Sequence, residues 1–162
     1  MIIIPCGKID RDTLNGISVS LSDIEDDGTD YTGVRIKKPW GHELEKYRDE
    51  DMAIWWLHIH HNQKTSMHCH PNKSTVLFVI GGEGTLLTLG ESHLIGDGDV
   101  VVIEKGAFHQ ICAGGNAIMI YELESPPNKR DLVRLKDEYG RGQGYERVTD
   151  ERMEPAKVIP SV

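Results

Sequence analysis

The sequence has little of three things that would define its function at once: cysteine, basic charge and long apolar runs. Its 162 residues include 3 cysteines, an odd number without CxxC spacing, which disfavours a disulfide framework. Acidic residues number 26 against 18 Lys plus Arg, so the basic footprint of a nucleic-acid-binding protein is missing. No apolar run approaches the ~18 residues of a membrane span or forms a signal-peptide h-region. We therefore expect a cytoplasmic protein with a small ligand and with no nucleic-acid or membrane partner.

Short apolar runs closed by Gly, Asn or Asp recur through the middle of the chain. They lie at 52–59, 74–80, 84–89, 92–95, 99–103, 107–113 and 117–124. Strands of this length, repeating every ~8–12 residues between turn signals, are typical of an all-β sandwich or barrel. The length fits a single domain. We predict an N-terminal extension, partly strand, at 1–37, a β-barrel at 38–124, and a C-terminal helix and tail at 125–162.

The C-terminal segment carries the one helical pattern that we assign. Leu132, Leu135 and Tyr139 recur at helical spacing, and Gly140 stands where a left-handed C-cap belongs. We expect this helix to pack outside the barrel.

Two histidines one residue apart, in "TSMHCHPNK", raise the question of a metal site. On a strand, His68 and His70 would project from one face and Cys69 from the other. The pair could be metal ligands, or merely polar residues near a loop. About forty residues on, "GDGDVVVIEKGAFH" ends on His109 after a Gly/Asp turn, an apolar strand and a second turn. This second pattern favours the metal site.

The two patterns together resemble the motifs of the cupin superfamily, whose fold is a small jelly-roll β-barrel. The matching residues are His68, Cys69, His70 and Gly82 in the first motif and Gly98, Gly106 and His109 in the second. The resemblance covers roughly residues 38–122. It implies that His68, His70 and His109 bind a divalent transition metal such as Zn, Fe, Mn or Ni. Thr75 stands where cupins place a ligand glutamate, and the alternative is a cupin that has lost its metal.

A longer stretch is similar to the cupin domain of mannose-6-phosphate isomerases, especially the bifunctional isomerase/GDP-mannose pyrophosphorylase type. The similarity lies in "KKPWGHELEKY" and "QKTSMHCHPNK", where Gln63 and Lys64 match and His68 replaces a glutamine ligand. It implies metal-assisted isomerisation of a small sugar phosphate or a sugar-nucleotide-related substrate.

Such an isomerisation needs a base that moves a proton and an electrophile that polarises a carbonyl. In "WWLHIHH", His58 and His60 share a strand face with Trp56, and either histidine could serve as the base. Alternatively, this face meets solvent or a partner chain. Lysines near the histidine pair could hold a phosphate or carboxylate, or only add surface charge. The candidates are His58, His60 and Lys64 for catalysis and Gln63, Lys73 and Thr75 for substrate binding.

Two further functions fit the same residues. Cupins with three-histidine iron sites include non-haem oxygenases, and the absent glutamate fits that class as well. The barrel could also be a non-catalytic, regulatory module that binds a sugar. An exposed Trp56 on a sheet face would favour a homodimer, because large exposed aromatic side chains usually have a partner.

Overall fold

The computed structural model describes residues 1–143 and 149–152, which form thirteen strands and two short helices. The helices are α1 (Lys8–Asn15) and α2 (Leu21–Ile24). The strands are β1 (Ile2–Ile4), β2 (Val34–Lys38), β3 (Gly41–Arg48), β4 (Ala53–Ile59), β5 (Met67–Cys69), β6 (Ser74–Gly81), β7 (Glu83–Thr88), β8 (Ser92–Gly96), β9 (Val100–Ile103), β10 (His109–Ala113), β11 (Ile118–Ser125), β12 (Val133–Lys136) and β13 (Thr149–Arg152). The all-β jelly-roll fold predicted from the sequence is confirmed.

The strands are arranged in two sheets. The larger has the order β1-β9-β6-β11-β4-β3-β2-β13, and the smaller has the order β12-β5-β10-β7-β8. Neither order returns to its first strand, so the described strands form open sheets rather than a closed ring. Segments on both sides of the predicted barrel region are built into these sheets, because β1 pairs with β9 and β12 pairs with β5. The domain boundaries at 37/38 and 124/125 stay predictions.

Strand β4 shows how the sequence fixes the core. Trp55, Leu57 and Ile59 are buried, while the residues between them are only partly buried. Side chains on a strand alternate between the two faces of its sheet, so this face of β4 packs inward. Buried residues of β1, β2, β6, β9 and β11 of the larger sheet, and of β7, β8 and β10 of the smaller one, join it in one apolar cluster. The pairing register of β4 therefore fixes, for each of its residues, the side of the sheet on which the side chain lies.

The predicted C-terminal helix is wrong. Residues 133–136 instead form β12, which pairs antiparallel with β5, and Leu135 is 42% exposed. The helix was predicted from the spacing of only three side chains, those of Leu132, Leu135 and Tyr139. Pairing with an open sheet edge satisfies the backbone of this segment in another way, so tertiary structure overrides the local pattern. Gly140 does have a positive φ of 72°, but in a turn rather than at a helix end. The tail at 153–162 lies outside the described residues.

Among the described residues, neither helix is long and apolar enough to cross a membrane.

Gly82 gives a test of the turn between β6 and β7. Its φ is +80°, and a Cβ there would lie 2.1 Å from the Ala117 carbonyl oxygen. We expect Gly82→Ala to lower the free energy of unfolding by about 2 kcal/mol or more, because the backbone is strained and the clash is with main chain. Gly90→Ala, where nothing lies within 4 Å, is the matched control and should change stability by less than about 0.5 kcal/mol. Equal urea midpoints for the two variants would contradict this reading.

Candidate metal centre

Three histidines meet between the two sheets. His68 lies on β5, His70 follows that strand, and His109 begins β10 directly opposite His68 in the antiparallel register. Their ring centroids are 4.4 Å apart for His68 and His109, 5.0 Å for His68 and His70, and 5.4 Å for His70 and His109. One ring nitrogen of each lies within 4.8 Å of the others. The structure thus brings together the three residues that the sequence predicted, and we call them the inner triad.

Each ring of the inner triad is oriented by a backbone carbonyl. The Nδ1 atoms donate to the carbonyl oxygens of Ser66, Asp131 and Ala107, at 2.8, 2.6 and 3.0 Å for His68, His70 and His109. A carbonyl oxygen only accepts, so Nδ1 carries the hydrogen in every case. Each Nε2 is then left with a free lone pair. A hydrogen bond from the ring nitrogen that does not bind the metal usually orients a metal-binding histidine in this way.

Burial keeps the inner triad uncharged. His68, His70 and His109 are 9%, 5% and 2% exposed, respectively. Desolvation is the largest cause that lowers the pKa of all three, and it brings that of His109 to about 4. Neutral imidazole is the form that binds a metal. The Nε2 of His70 is buried without a hydrogen-bond partner, as a lone pair reserved for an ion would be. The inner triad therefore fits a transition metal.

A fourth donor, Glu122, was missed by sequence reasoning. Its Oε1 lies 3.9 Å from the His70 Nε2. Two donors that are each about 2.1 Å from one ion can be separated by up to about 4.2 Å, so both can bind the same ion. Glu122 lies on β11, where Ile118 and Ile120 are also buried on the same face. That alternation in "IMIYELE" was the available signal, because it places the carboxylate inside the fold.

Thr75 does not take the role of the missing glutamate. It is 1% exposed on β6 and its hydroxyl has no hydrogen-bond partner among the described residues. It is not part of the cavity beside the inner triad. The carboxylate near His70 is instead that of Glu122 on β11, the strand that pairs with β6.

The cavity beside the inner triad is small and rich in charge. Its volume is about 60 Å³. The lining residues are Lys38, Trp40, Glu43, Leu57, Thr65, Ser66, His68, His70, Lys73, Glu122, Lys129, Leu132, Arg134 and Arg141. Five of them are cationic and two are carboxylates; Glu124 and Asp137, which pair with lining cations, raise the carboxylates to four. Most of these lining cations are therefore held in ion pairs before any metal binds.

Buried ion pairs hold these charges in place. Glu43 lies 3.2 Å from Lys38 and 3.0 Å from Lys129. Burial alone would raise the pKa of Glu43, but the two ammonium groups outweigh it and lower the pKa to about 2. Burial lowers the pKa of Lys38 to about 8. Lys73, a predicted substrate-binding residue, does line the cavity, and its ammonium group pairs with Glu124.

The structure does not bring the predicted bases to this cavity. His58 alternates with the buried Trp55, Leu57 and Ile59 of β4, so its ring lies on the opposite face of the larger sheet. His60, two residues on, lies beside His58 with ring centroids 5.2 Å apart. The catalytic assignment of both histidines is therefore corrected, because strand alternation separates them from the inner triad.

Lys64 and Gln63 also lie away from the cavity. The Lys64 ammonium pairs with Glu138 at 2.7 Å, and its side chain is 34% exposed. The Gln63 amide oxygen accepts from the Tyr139 hydroxyl at 3.0 Å. Both contacts attach the C-terminal segment to the loop before β5, which is a structural role rather than the predicted catalytic or substrate-binding one.

Comparisons with known proteins agree with the fold. Residues 55–122 match the family model described as Cupin domain. A double-stranded β-helix protein of Klebsiella pneumoniae has a TM-score of 0.54 and 18% identity, over 74% of this chain and 97% of that one. KdgF from Halomonas sp. has a TM-score of 0.51 and 17% identity, over 59% and 80%. A proposed sugar phosphate isomerase from Acidithiobacillus ferrooxidans has a TM-score of 0.50 and 21% identity, over 59% and 67%.

The family match and these structural neighbours support the cupin superfamily. At such identities the neighbours show the fold alone. Nothing in the comparisons singles out the mannose-6-phosphate isomerase type. No curated protein matches the sequence.

Metal affinity distinguishes Glu122 from Thr75 as the fourth donor. We expect Glu122→Gln, which keeps the shape and removes the charge, to weaken Zn²⁺ binding at the inner triad by roughly 10- to 100-fold. Thr75→Val, which removes the hydroxyl at the position of the family's glutamate, should leave the affinity unchanged. Competition with a chromophoric chelator measures both. A loss in Thr75→Val with none in Glu122→Gln would reverse the assignment.

Proposed function

We propose that this chain is a metal-dependent cupin enzyme that isomerises a small anionic substrate of the sugar-phosphate kind. The observation that supports it most is that the three Nδ1 atoms of the inner triad all donate to carbonyls, which leaves three neutral Nε2 donors facing one another. Glu122 would complete the donor set. Imidazole and carboxylate donors suit Zn, Fe, Mn or Ni. When bound, such an ion supplies a Lewis acid that polarises a carbonyl oxygen.

The chain's own residues would bind the anion. Lys73, Lys129, Arg134 and Arg141 line the cavity, where three of them pair with buried carboxylates. A phosphate or carboxylate entering there would compete with those carboxylates for the cations. Arginine can hold such a group through two parallel hydrogen bonds.

Lys38 is the residue best suited to move the proton. It lines the same cavity, and burial lowers the pKa of its ammonium group to about 8, so a useful fraction is neutral near physiological pH. It takes over the role that the sequence suggested for His58 and His60, which face away. Glu43, whose Oε1 lies 3.2 Å from the Lys38 Nζ, would pair with the ammonium group that forms when Lys38 takes up the proton.

A three-histidine iron oxygenase is the second candidate, and the size of the cavity favours it. About 60 Å³ is the space of roughly two water molecules. A cavity of that size suits dioxygen and a few atoms of substrate better than an intact sugar phosphate. The isomerase proposal therefore requires that the segment carrying Leu132, Arg134 and Arg141 moves outward when substrate binds.

Elemental analysis tests the metal part of the proposal. His109→Ala should lose the ion of the inner triad, about one equivalent per chain, while its circular dichroism stays that of a β protein, because one donor is deleted and the sheets remain. His93→Ala, a histidine of β8, is the control and should keep the wild-type content. Unchanged metal in His109→Ala would remove the inner triad as the binding site.

The reaction itself is tested by isotope exchange. An isomerase should incorporate solvent deuterium into a C6 or C5 sugar phosphate, and Lys38→Met should lose this exchange while keeping its metal, because a proton carrier is gone and no donor is. Oxygen consumption by the iron-loaded protein, without deuterium exchange, would instead establish the oxygenase. If Lys38→Met exchanged at the wild-type rate, the role given to Lys38 would be wrong.

A further inference from the structure

A second group of three histidines lies on the outer face of the larger sheet. His42 on β3 is directly opposite His58 on β4 in the antiparallel register, and His60 follows β4. Their ring centroids are 4.9 Å apart for His42 and His58, 5.2 Å for His58 and His60, and 6.3 Å for His42 and His60. One ring nitrogen of each lies within 4.8 Å of the others. We call these residues the outer triad.

The outer triad is separated from the inner one by the sheet itself. Along β4 the residues flanking His58, Leu57 and Ile59, are 5% and 0% exposed and belong to the core. Leu57 also lines the cavity beside the inner triad. A ring on the other face of the strand cannot reach that cavity, so an ion held by the outer triad would be independent of the enzyme site.

One donor atom of the outer triad lacks a partner and is available to an ion. The Nδ1 of His58 is buried and has no hydrogen-bond partner among the described residues. Such an orphaned polar atom costs free energy unless a ligand or ion satisfies it. Burial is the largest cause that lowers the pKa of His42, to about 4, and that of His58, so both rings are neutral near pH 7.

One feature opposes a cation at this position. A guanidinium nitrogen of Arg35 lies 3.1 Å from both ring nitrogens of His42. The Arg35 residue is only partly buried and borders an open groove of about 330 Å³, shared with Leu44, Trp56 and Met119. The Arg35 side chain can therefore turn into solvent. In water, the repulsion between its guanidinium and a cation charge 4 Å away would be only about 1 kcal/mol per unit charge.

We propose that His42, His58 and His60 bind one borderline divalent transition ion, of the Zn²⁺, Cu²⁺ or Ni²⁺ class, at a second site independent of the inner triad. No carboxylate belongs to the outer triad, so hard cations such as Mg²⁺ and Ca²⁺ gain nothing from it. Three imidazoles leave a fourth position for water or for a donor from another molecule, as in zinc sites with three protein ligands.

Counting bound ions tests the proposal. The full chain, without a histidine tag and stripped with a chelator, is titrated with Zn²⁺ by calorimetry, and Co²⁺ absorption is recorded in parallel. We expect two ions per chain in the wild type. His42→Ala with His58→Ala should bind one ion, and His68→Ala with His109→Ala should bind one ion as well. His93→Ala is the control and should bind two.

The outcomes separate this site from the proposed function. One ion in the wild type, lost in the inner variant and kept in the outer variant, would overturn the outer site and leave the enzyme proposal standing. Two ions in the inner variant would overturn the enzyme proposal alone. One ion lost specifically in the outer variant, with the Co²⁺ spectrum changed only there, supports the inference whatever the inner triad does.

Discussion

Side chains on a strand must alternate between the two faces of its sheet, and here that constraint decides which histidines can meet. Three rings converge between the sheets, and three others converge on the outside of the larger sheet. The dividing surface is β4, whose Trp55, Leu57 and Ile59 fill the core while His58 points the other way. A shift of one residue in this strand would exchange the two environments and expose the core. Packing of the apolar face of β4 therefore also decides on which side of the larger sheet each histidine ring lies.

Burial of charge is the second constraint. Glu124 is 0% exposed and pairs with Lys73 while it accepts from the Trp55 indole at 3.1 Å. Glu43 is shared between Lys38 and Lys129. Removing either partner of such a pair costs far more than the pair contributes, so these groups change only together. Well-packed apolar side chains in place of these buried ion pairs would make the fold more stable. The charged cavity beside the inner triad therefore lowers the stability of the protein.

Sequence reasoning reached the parts of the site that rest on local pattern. His68, His70 and His109 were predicted because short strands and glycine turns make their positions readable. His58 was offered as a base although alternation left its face open, and the structure places it on the face opposite Trp55, Leu57 and Ile59. Glu122 was missed because the alternation along β11 places its carboxylate inside the fold without showing that it lies beside His70. The helix predicted around Leu132 failed because an unpaired sheet edge, invisible in the sequence, was the stronger partner.

The Asp131 carbonyl that orients His70 lies 61 residues away along the chain, and its carboxylate accepts from the backbone N–H groups of Asn72 and Lys73. It also lies beyond residue 122, where the match to the family model ends. A fragment cut to residues 55–122 would retain all four donors and yet lose the oxygen that orients one of them. For this protein, the boundaries of the recognisable domain are not the boundaries of the working one, and engineered truncations should extend at least through β12.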